Sequence, residues 1–236
     1  MPGVGNDVVD LHDPDNRGKS GDDRFLGRVF TAEERALIAG AAVPDRLLWS
    51  LWAAKEAAYK AVSGADPPPH TIPRRYPVHI GTHSRRAPVA DPISPCPTLV
   101  RSATDTACLA GAEDQSALLF VGEVITPRGA VALRVTGNDD YVHALAALPD
   151  IDFAGIVSRV DRREDGANPG DASAFGRAQL LAEISRRLNC PRDELTLRPD
   201  PSGSGAPRLF RRNLPLFLAI SLSHDGRFTA FAFLVR

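Results

Sequence analysis

The chain has 236 residues, 43% of them apolar and 24% charged, and its 28 Lys and Arg against 29 Asp and Glu give a formal net charge of −1. These values suit a globular protein with one core or two smaller ones, and they exclude a global field that would draw the chain to nucleic acid or an anionic membrane. The odd set of cysteines (Cys96, Cys108 and Cys190) has no metal-ligand spacing, "MPGVGNDVVD" has no signal-peptide pattern, and no apolar run has the length of a membrane span, so the expectation is a cytoplasmic protein in a reducing setting.

In chain order, Val4–Leu11 reads as a strand, followed by an acidic loop and a helix over Thr31–Ala39. Thr31 and Glu34 form a capping box that fixes the start of that helix. A longer helix carries "LWSLWAAKEAAYKAV" (Leu48–Val62). Nine of the 20 prolines then fall between Pro67 and Pro97, and the stretch from about 65 to 115 reads as an irregular excursion. "ALLFVGEV" and "AVALRV" flank "ITPRG" as a hairpin, and "YVHALAAL" reads as a further strand. The polar "DRREDGANPGDAS" (Asp161–Ser173) is the best linker candidate. Beyond it come a helix (Ala174–Leu188), a turn-rich segment with "DPSGSGAP", and a terminal hairpin in which "HDGR" joins "LFLAISLS" to "FTAFAFLV". Helices mixed with antiparallel strands in both halves make the class α+β.

Several charged side chains lie where apolar ones would be expected. Strand alternation puts Asp7 on the side of Val9 and Leu11, so its carboxylate faces inward and needs a pairing partner, a backbone donor or a metal. On the long helix Trp49, Trp52, Glu56 and Lys60 share one face. Glu56 and Lys60 can form an i,i+4 ion pair worth about 0.3 kcal/mol, or Glu56 can join Asp7 on one Mg²⁺ whose shell is completed by waters and phosphate oxygens. Ser223 and His224 stand where a strand enters a turn, a common place for a histidine without special function. Arg177 forms a stripe with Leu181, Ile184 and Leu188 near a helix N-terminus, a poor position for a cation unless an anion joins it or the side chain reaches an acidic partner.

Taken together, "GND" (Gly5–Asp7), "FTAEE" (Phe30–Glu34) and "WAAKEAAYK" (Trp52–Lys60) resemble the signature of the 4'-phosphopantetheinyl transferases. That family moves the phosphopantetheine arm of coenzyme A onto a serine of an acyl or peptidyl carrier protein, with Mg²⁺, and releases 3',5'-ADP. The resemblance implies Asp7 and Glu56 as metal ligands, Glu56 and Lys60 as catalytic groups, and Lys55 as a further phosphate contact. Residues 173–236 resemble the N-terminal lobe of the large monomeric type that activates nonribosomal peptide synthetases. That lobe here follows the metal-binding one, and Arg177, Ser223 and His224 match its coenzyme A positions. The small trimeric holo-acyl-carrier-protein synthases also begin with G-x-D but have about half this length.

The expected architecture is therefore two similar lobes, each an antiparallel sheet on a helix, related by a pseudo-two-fold. Residues 1–160 would form the metal-binding lobe and 161–236 the coenzyme A lobe, in an active monomer. The departures are Val9, where the large type usually has a third acidic ligand, and "GAP" (Gly205–Pro207) in place of G-K-P, with Arg208 as a stand-in for the lysine. Asp10 resembles an acidic residue of the small type. A non-catalytic binding module of the same fold and a Mg²⁺-dependent phosphohydrolase are the rival readings.

Overall fold

The computed structural model describes residues 3–64, 69–81, 116–163, 171–199 and 207–234. Most of the Pro-rich excursion, the middle of the linker candidate and Gly205 of the "GAP" turn lie outside these residues.

Strand β1 (Val4–Asp10) leads through α1 (Asp23–Val29) and α2 (Ala32–Ala39) to the long α3 (Pro44–Val62). Thr31 caps α2 as the sequence indicates. Its hydroxyl accepts from the Glu34 N–H, and the Glu34 carboxylate accepts from the Thr31 N–H at 2.8 Å. Helix α1 sits in what reads as an acidic loop. Asp22 caps it, accepting from the Phe25 N–H at 2.9 Å, but its two turns are too short for a period to stand out among Gly and Asp.

Strands β2 (Val78–Gly81), β3 (Ala117–Thr126), β4 (Gly129–Gly137) and β5 (Tyr141–Ala147) join β1 in an antiparallel sheet of order β1-β5-β4-β3-β2. The β3–β4 hairpin and β5 fall where the sequence places them. β2 lies inside the Pro-rich excursion, where four residues bounded by proline carry no readable alternation. β5 is buried along its length between β1 and β4, and α3 packs across this sheet with Ala53, Ala54, Ala57, Ala58 and Ala61, all fully buried. Small side chains let helix and sheet approach closely, and at Gly5 the approach is closest. A Cβ there would stand 1.9 Å from the Ala57 carbonyl oxygen.

Strand β6 (Ile156–Arg162) opens a second antiparallel sheet, of order β10-β11-β6, with β10 (Ile220–Asp225) and β11 (Phe228–Leu234). The boundary expected near residue 160 falls inside β6, whose pairing with β11 assigns it to this second sheet. Helix α4 (Ala172–Arg187) covers the sheet, burying Gly176, Leu180 and Ile184. Its buried face is rotated from the expected stripe, since Leu188 is 39% exposed. The turn-rich segment forms a small third sheet from β7 (Leu195–Pro199), β8 (Pro207–Arg211) and β9 (Leu214–Leu216). Prolines at the strand ends mask it in the sequence. The architecture is mixed helix and antiparallel sheet. Among the described residues no helix is long and apolar enough to cross a membrane.

The two larger sheets meet along β1. Gly5, Asp7 and Val9 face α3, whereas Val4, Asn6, Val8 and Asp10 face the second sheet. Val8 packs with Phe228 and Ala230, and Val4 with Ala232. β1 has β5 on one edge only, so its outward N–H groups need other acceptors. Side chains of β10 supply them. The Asn6 N–H donates to Ser221 Oγ (2.9 Å) and the Asp10 N–H to Asp225 Oδ2 (2.8 Å).

Candidate active site

Gly5 brings α3 down onto β1, and two residues later Asp7 emerges beside Glu56 and Lys60 on that helix. The Lys60 ammonium donates to Asp7 Oδ1 at 2.7 Å and to the Asn6 carbonyl at 3.1 Å. Lys60 thus pairs with Asp7 and not, as an i,i+4 partner, with Glu56 one helical turn away, although its charge still acts on Glu56. Burial pushes the Asp7 carboxyl above its ordinary value, with Lys60 opposing the shift. Burial also raises Glu56, the Asp7 charge adds to the rise, and Lys60 opposes it. Two carboxylates held this way repel each other and gain from a shared cation.

Glu56 stands between two openings. One is a cleft of about 320 Å³ where Glu56, Tyr59 and Lys60 from α3 face Arg177 of α4 and Ser223 and His224 of β10. The other is a recess of about 310 Å³ lined by Asp7, Trp52, Glu56, His224 and Asp225. Its wall is aromatic. Phe25, Trp49 and Trp52 have ring centroids 5.9–6.2 Å apart, and Trp49 donates its indole N–H to the Asn16 carbonyl at 2.8 Å. The two indoles of the charged stripe are therefore a wall of the site, with Glu56 at its rim.

The second sheet supplies cation-rich surroundings. Partial burial depresses the His224 imidazole below its ordinary value, helped by the Lys60 and Arg163 charges and opposed by Asp7. A neutral imidazole can offer one N–H to an incoming oxygen. Ser223 is 8% exposed. The Asn6 amide, in the orientation that satisfies its neighbours, donates to Ser223 Oγ at 3.0 Å and accepts from the Ala232 N–H at 3.0 Å. Arg177 reaches Ser173 on its own helix, Nε to Oγ at 3.4 Å.

The structure thus brings together Asp7, Glu56, Lys60, Arg177, Ser223 and His224. It does not bring Lys55 or Arg208 to this cleft. Lys55 is 1% exposed, and its ammonium donates to Glu34 Oε1 (2.7 Å) and the Tyr76 carbonyl (2.8 Å). Glu34 Oε1 also accepts from the Val78 N–H at 2.8 Å. This ion pair ties α2 and α3 to the chain before β2, because a buried ammonium must be fully partnered, and it consumes the contact expected for phosphate. Arg208 is exposed on β8 opposite Arg198, while its neighbour Pro207 lines the cleft. Alternation along β8 buries Leu209 and turns Arg208 the other way. Val9 is 3% exposed in the core, so nothing acidic takes the third position there. Sequence reasoning missed Asn6 and Asp225. The first is the variable position of G-x-D, and the second follows His224 directly.

Among the described residues no three His, Cys, Asp or Glu side chains cluster closely enough to hold a metal. A divalent ion here would rest on the Asp7 and Glu56 carboxylates and take its remaining oxygens from water and substrate. That donor set is all oxygen with few protein ligands, which suits Mg²⁺.

Residues 3–72 match the family model described as the 4'-phosphopantetheinyl transferase superfamily. Over 73 residues the chain is also 44% identical to a protein of Eremothecium gossypii named mitochondrial holo-[acyl-carrier-protein] synthase. That stretch is 28% of this chain and 42% of the relative, so the chain spans less than half the relative's length. The matched residues carry Asp7, the Thr31–Glu34 capping box, Glu56 and Lys60. It is through residues 3–72 that the chain is similar to the 4'-phosphopantetheinyl transferase superfamily.

Proposed function

We propose that the protein is a 4'-phosphopantetheinyl transferase that moves the phosphopantetheine arm of coenzyme A onto a serine of an acyl or peptidyl carrier protein and releases 3',5'-ADP. One observation carries the reading. Glu56 and Lys60 of the superfamily segment face Arg177, Ser223 and His224, from the far end of the chain, across a single cleft. We assign the cleft to the coenzyme's phosphates and the aromatic recess beyond Glu56 to the incoming serine.

In the reaction the serine Oγ attacks the pyrophosphate phosphorus that bears the pantetheine arm, and the bond to the bridging oxygen breaks. Glu56 takes the serine proton. It stands at the rim between the cleft and the recess, within reach of both. Lys60, held beside Asp7, stabilises or protonates the departing 3',5'-ADP oxygen. Arg177 and His224 hold the coenzyme's phosphates, and Ser223 adds a hydroxyl. Asp7 and Glu56 would hold Mg²⁺, which when bound neutralises charge on the pyrophosphate.

The same reading takes residues up to about 155 as the metal-binding lobe and the remainder as the coenzyme A lobe. It relates the two by a pseudo-two-fold, in an order swapped from the large monomeric type. With both halves of the site in one chain, a monomer suffices, and no nucleic acid or membrane partner is called for. We place the protein in the cytoplasm on its cysteine content; the fungal relative is named for the mitochondrion.

Asp7→Ala and Glu56→Ala should each cost transfer about a hundredfold, the scale of losing an electrostatic contact to developing charge. Their circular dichroism should match wild type. A folded variant that transfers at nearly the wild-type rate in Mg²⁺ would contradict the assignment.

A further inference from the structure

Beside the site, on the face of β1 that meets the second sheet, a group of charged residues takes no part in the chemistry above. The Asp10 side chain is 2% exposed. Its Oδ2 accepts from Arg227 Nε (2.8 Å) and from the Arg227 backbone N–H (2.9 Å). Its Oδ1 accepts from Arg227 Nη2 (2.7 Å) and the His12 N–H (2.9 Å). In return, Asp225 Oδ2 accepts from the Asp10 N–H (2.8 Å) and from Asn16 Nδ2 (2.7 Å). Between Asp225 and Arg227, Gly226 has φ +46°, and a Cβ on it would stand 2.5 Å from Asp10 Oδ2. The β10–β11 turn is thus wrapped around a single buried carboxylate. Four donors meet that carboxylate, which is what a charge this deep requires.

The consequence lies one residue away. His224 and Asp225 enter the site from this turn, facing Asp7 and Glu56. Among the described residues no backbone ladder joins β1 to β10, and their contact is made by side chains. Nothing in the strand pairing fixes how far the turn reaches along β1. The ion pair does.

We propose that Asp10 and Arg227 are positioning residues, whose ion pair sets the height of the β10–β11 turn on β1 and so holds His224 in place to bind coenzyme A. The inference rests on the proposal that coenzyme A occupies the cleft. A residue that only stabilised the fold would leave coenzyme affinity unchanged in a protein that is still folded.

The test is calorimetric titration of the full chain with coenzyme A in Mg²⁺. Asp10→Asn keeps the shape and removes the charge, and Arg227→Gln, at a side chain 28% exposed, keeps the falsifying arm if the first variant does not fold. Each should weaken coenzyme A binding about tenfold, with Arg227→Lys recovering part of the loss. Added to His224→Ala, either change should cost less than twofold more, because the group being positioned is gone. A folded Arg227→Gln protein with wild-type affinity would overturn the proposal. So would an equal loss with and without His224, which would show that the pair acts elsewhere. Wild-type protein that takes up no coenzyme A would instead defeat the cleft assignment, and the inference with it.

Discussion

Asp7 and Glu56 are held where their charged forms are disfavoured, and this has a cost that can be measured without any substrate. Both carboxyls are raised above their ordinary values, chiefly by burial. A carboxyl whose pKa is higher in the folded protein stabilises the fold while protonated, and that stabilisation is lost as the pH rises through the folded value. For Glu56 the window opens at the ordinary value of 4.5 and extends upward to its raised one. In EDTA, Glu56→Gln should therefore melt higher than wild type at pH 7, and the gap should close as the pH falls toward 4.5. A lower melting temperature at pH 7 would show that Glu56 is well satisfied in the metal-free protein. Asp7, Glu56, Lys60 and His224 were legible in the sequence because short motifs carry them. The sequence suggests a phosphate contact for Lys55 and gives no sign of its buried partner, because Glu34 comes from another helix and serves the capping box as well. The Asp10–Arg227 pair spans 217 positions, and no local pattern signals such a contact.

Elements with a strong period were found near their observed bounds. The long helix begins at Pro44 and ends at Val62, and the terminal hairpin forms around the "HDGR" turn. Elements with three to seven residues among Gly, Pro and Asp do not stand out in the sequence: α1, β2, β6 and the small third sheet. Their existence is decided by what they pack against or pair with, which the local chain does not encode. The contact of α3 with β1 is different, because one glycine governs it. Gly5→Ala puts a methyl group into the backbone of α3 at Ala57, and the helix must shift to admit it. We expect a loss of about 1–3 kcal/mol, read as a fall in melting temperature of roughly 2–4 °C per kcal/mol for a chain of this size. Activity should fall further than stability explains, because the shift separates Asp7 from Lys60. A variant with wild-type melting temperature and activity would show that β1 and α3 have slack there.

At the scale of the whole molecule, the site is assembled from the two ends of the chain across β1. Val4 and Leu234 join one apolar cluster with Leu145 and Ala232, so the start of the first strand and the end of the last lie together. Joining residue 236 to residue 1 by a short flexible linker and opening the chain within 164–170 should thus preserve the seam. The permuted chain should be a monomer by light scattering and should bind coenzyme A within a few fold of wild type. A folded permutant without affinity, or an obligate trimer, would show that the halves are joined in some other way. The antiparallel α+β class and the shared side of Asp7 and Val9 on β1 were within reach of sequence alone, through alternation. The swap of sheets before β6 was not, because no composition change marks it. The central claim is the transfer itself, and intact-mass spectrometry tests it most directly. A panel of apo acyl and peptidyl carrier proteins is incubated with the wild-type chain, coenzyme A and Mg²⁺. The account predicts that a carrier gains one phosphopantetheine arm at its serine, with 3',5'-ADP formed in equal amount and no gain on a carrier whose serine is replaced by alanine. Carriers of unchanged mass throughout, or 3',5'-ADP released from coenzyme A in the absence of any carrier, would contradict it.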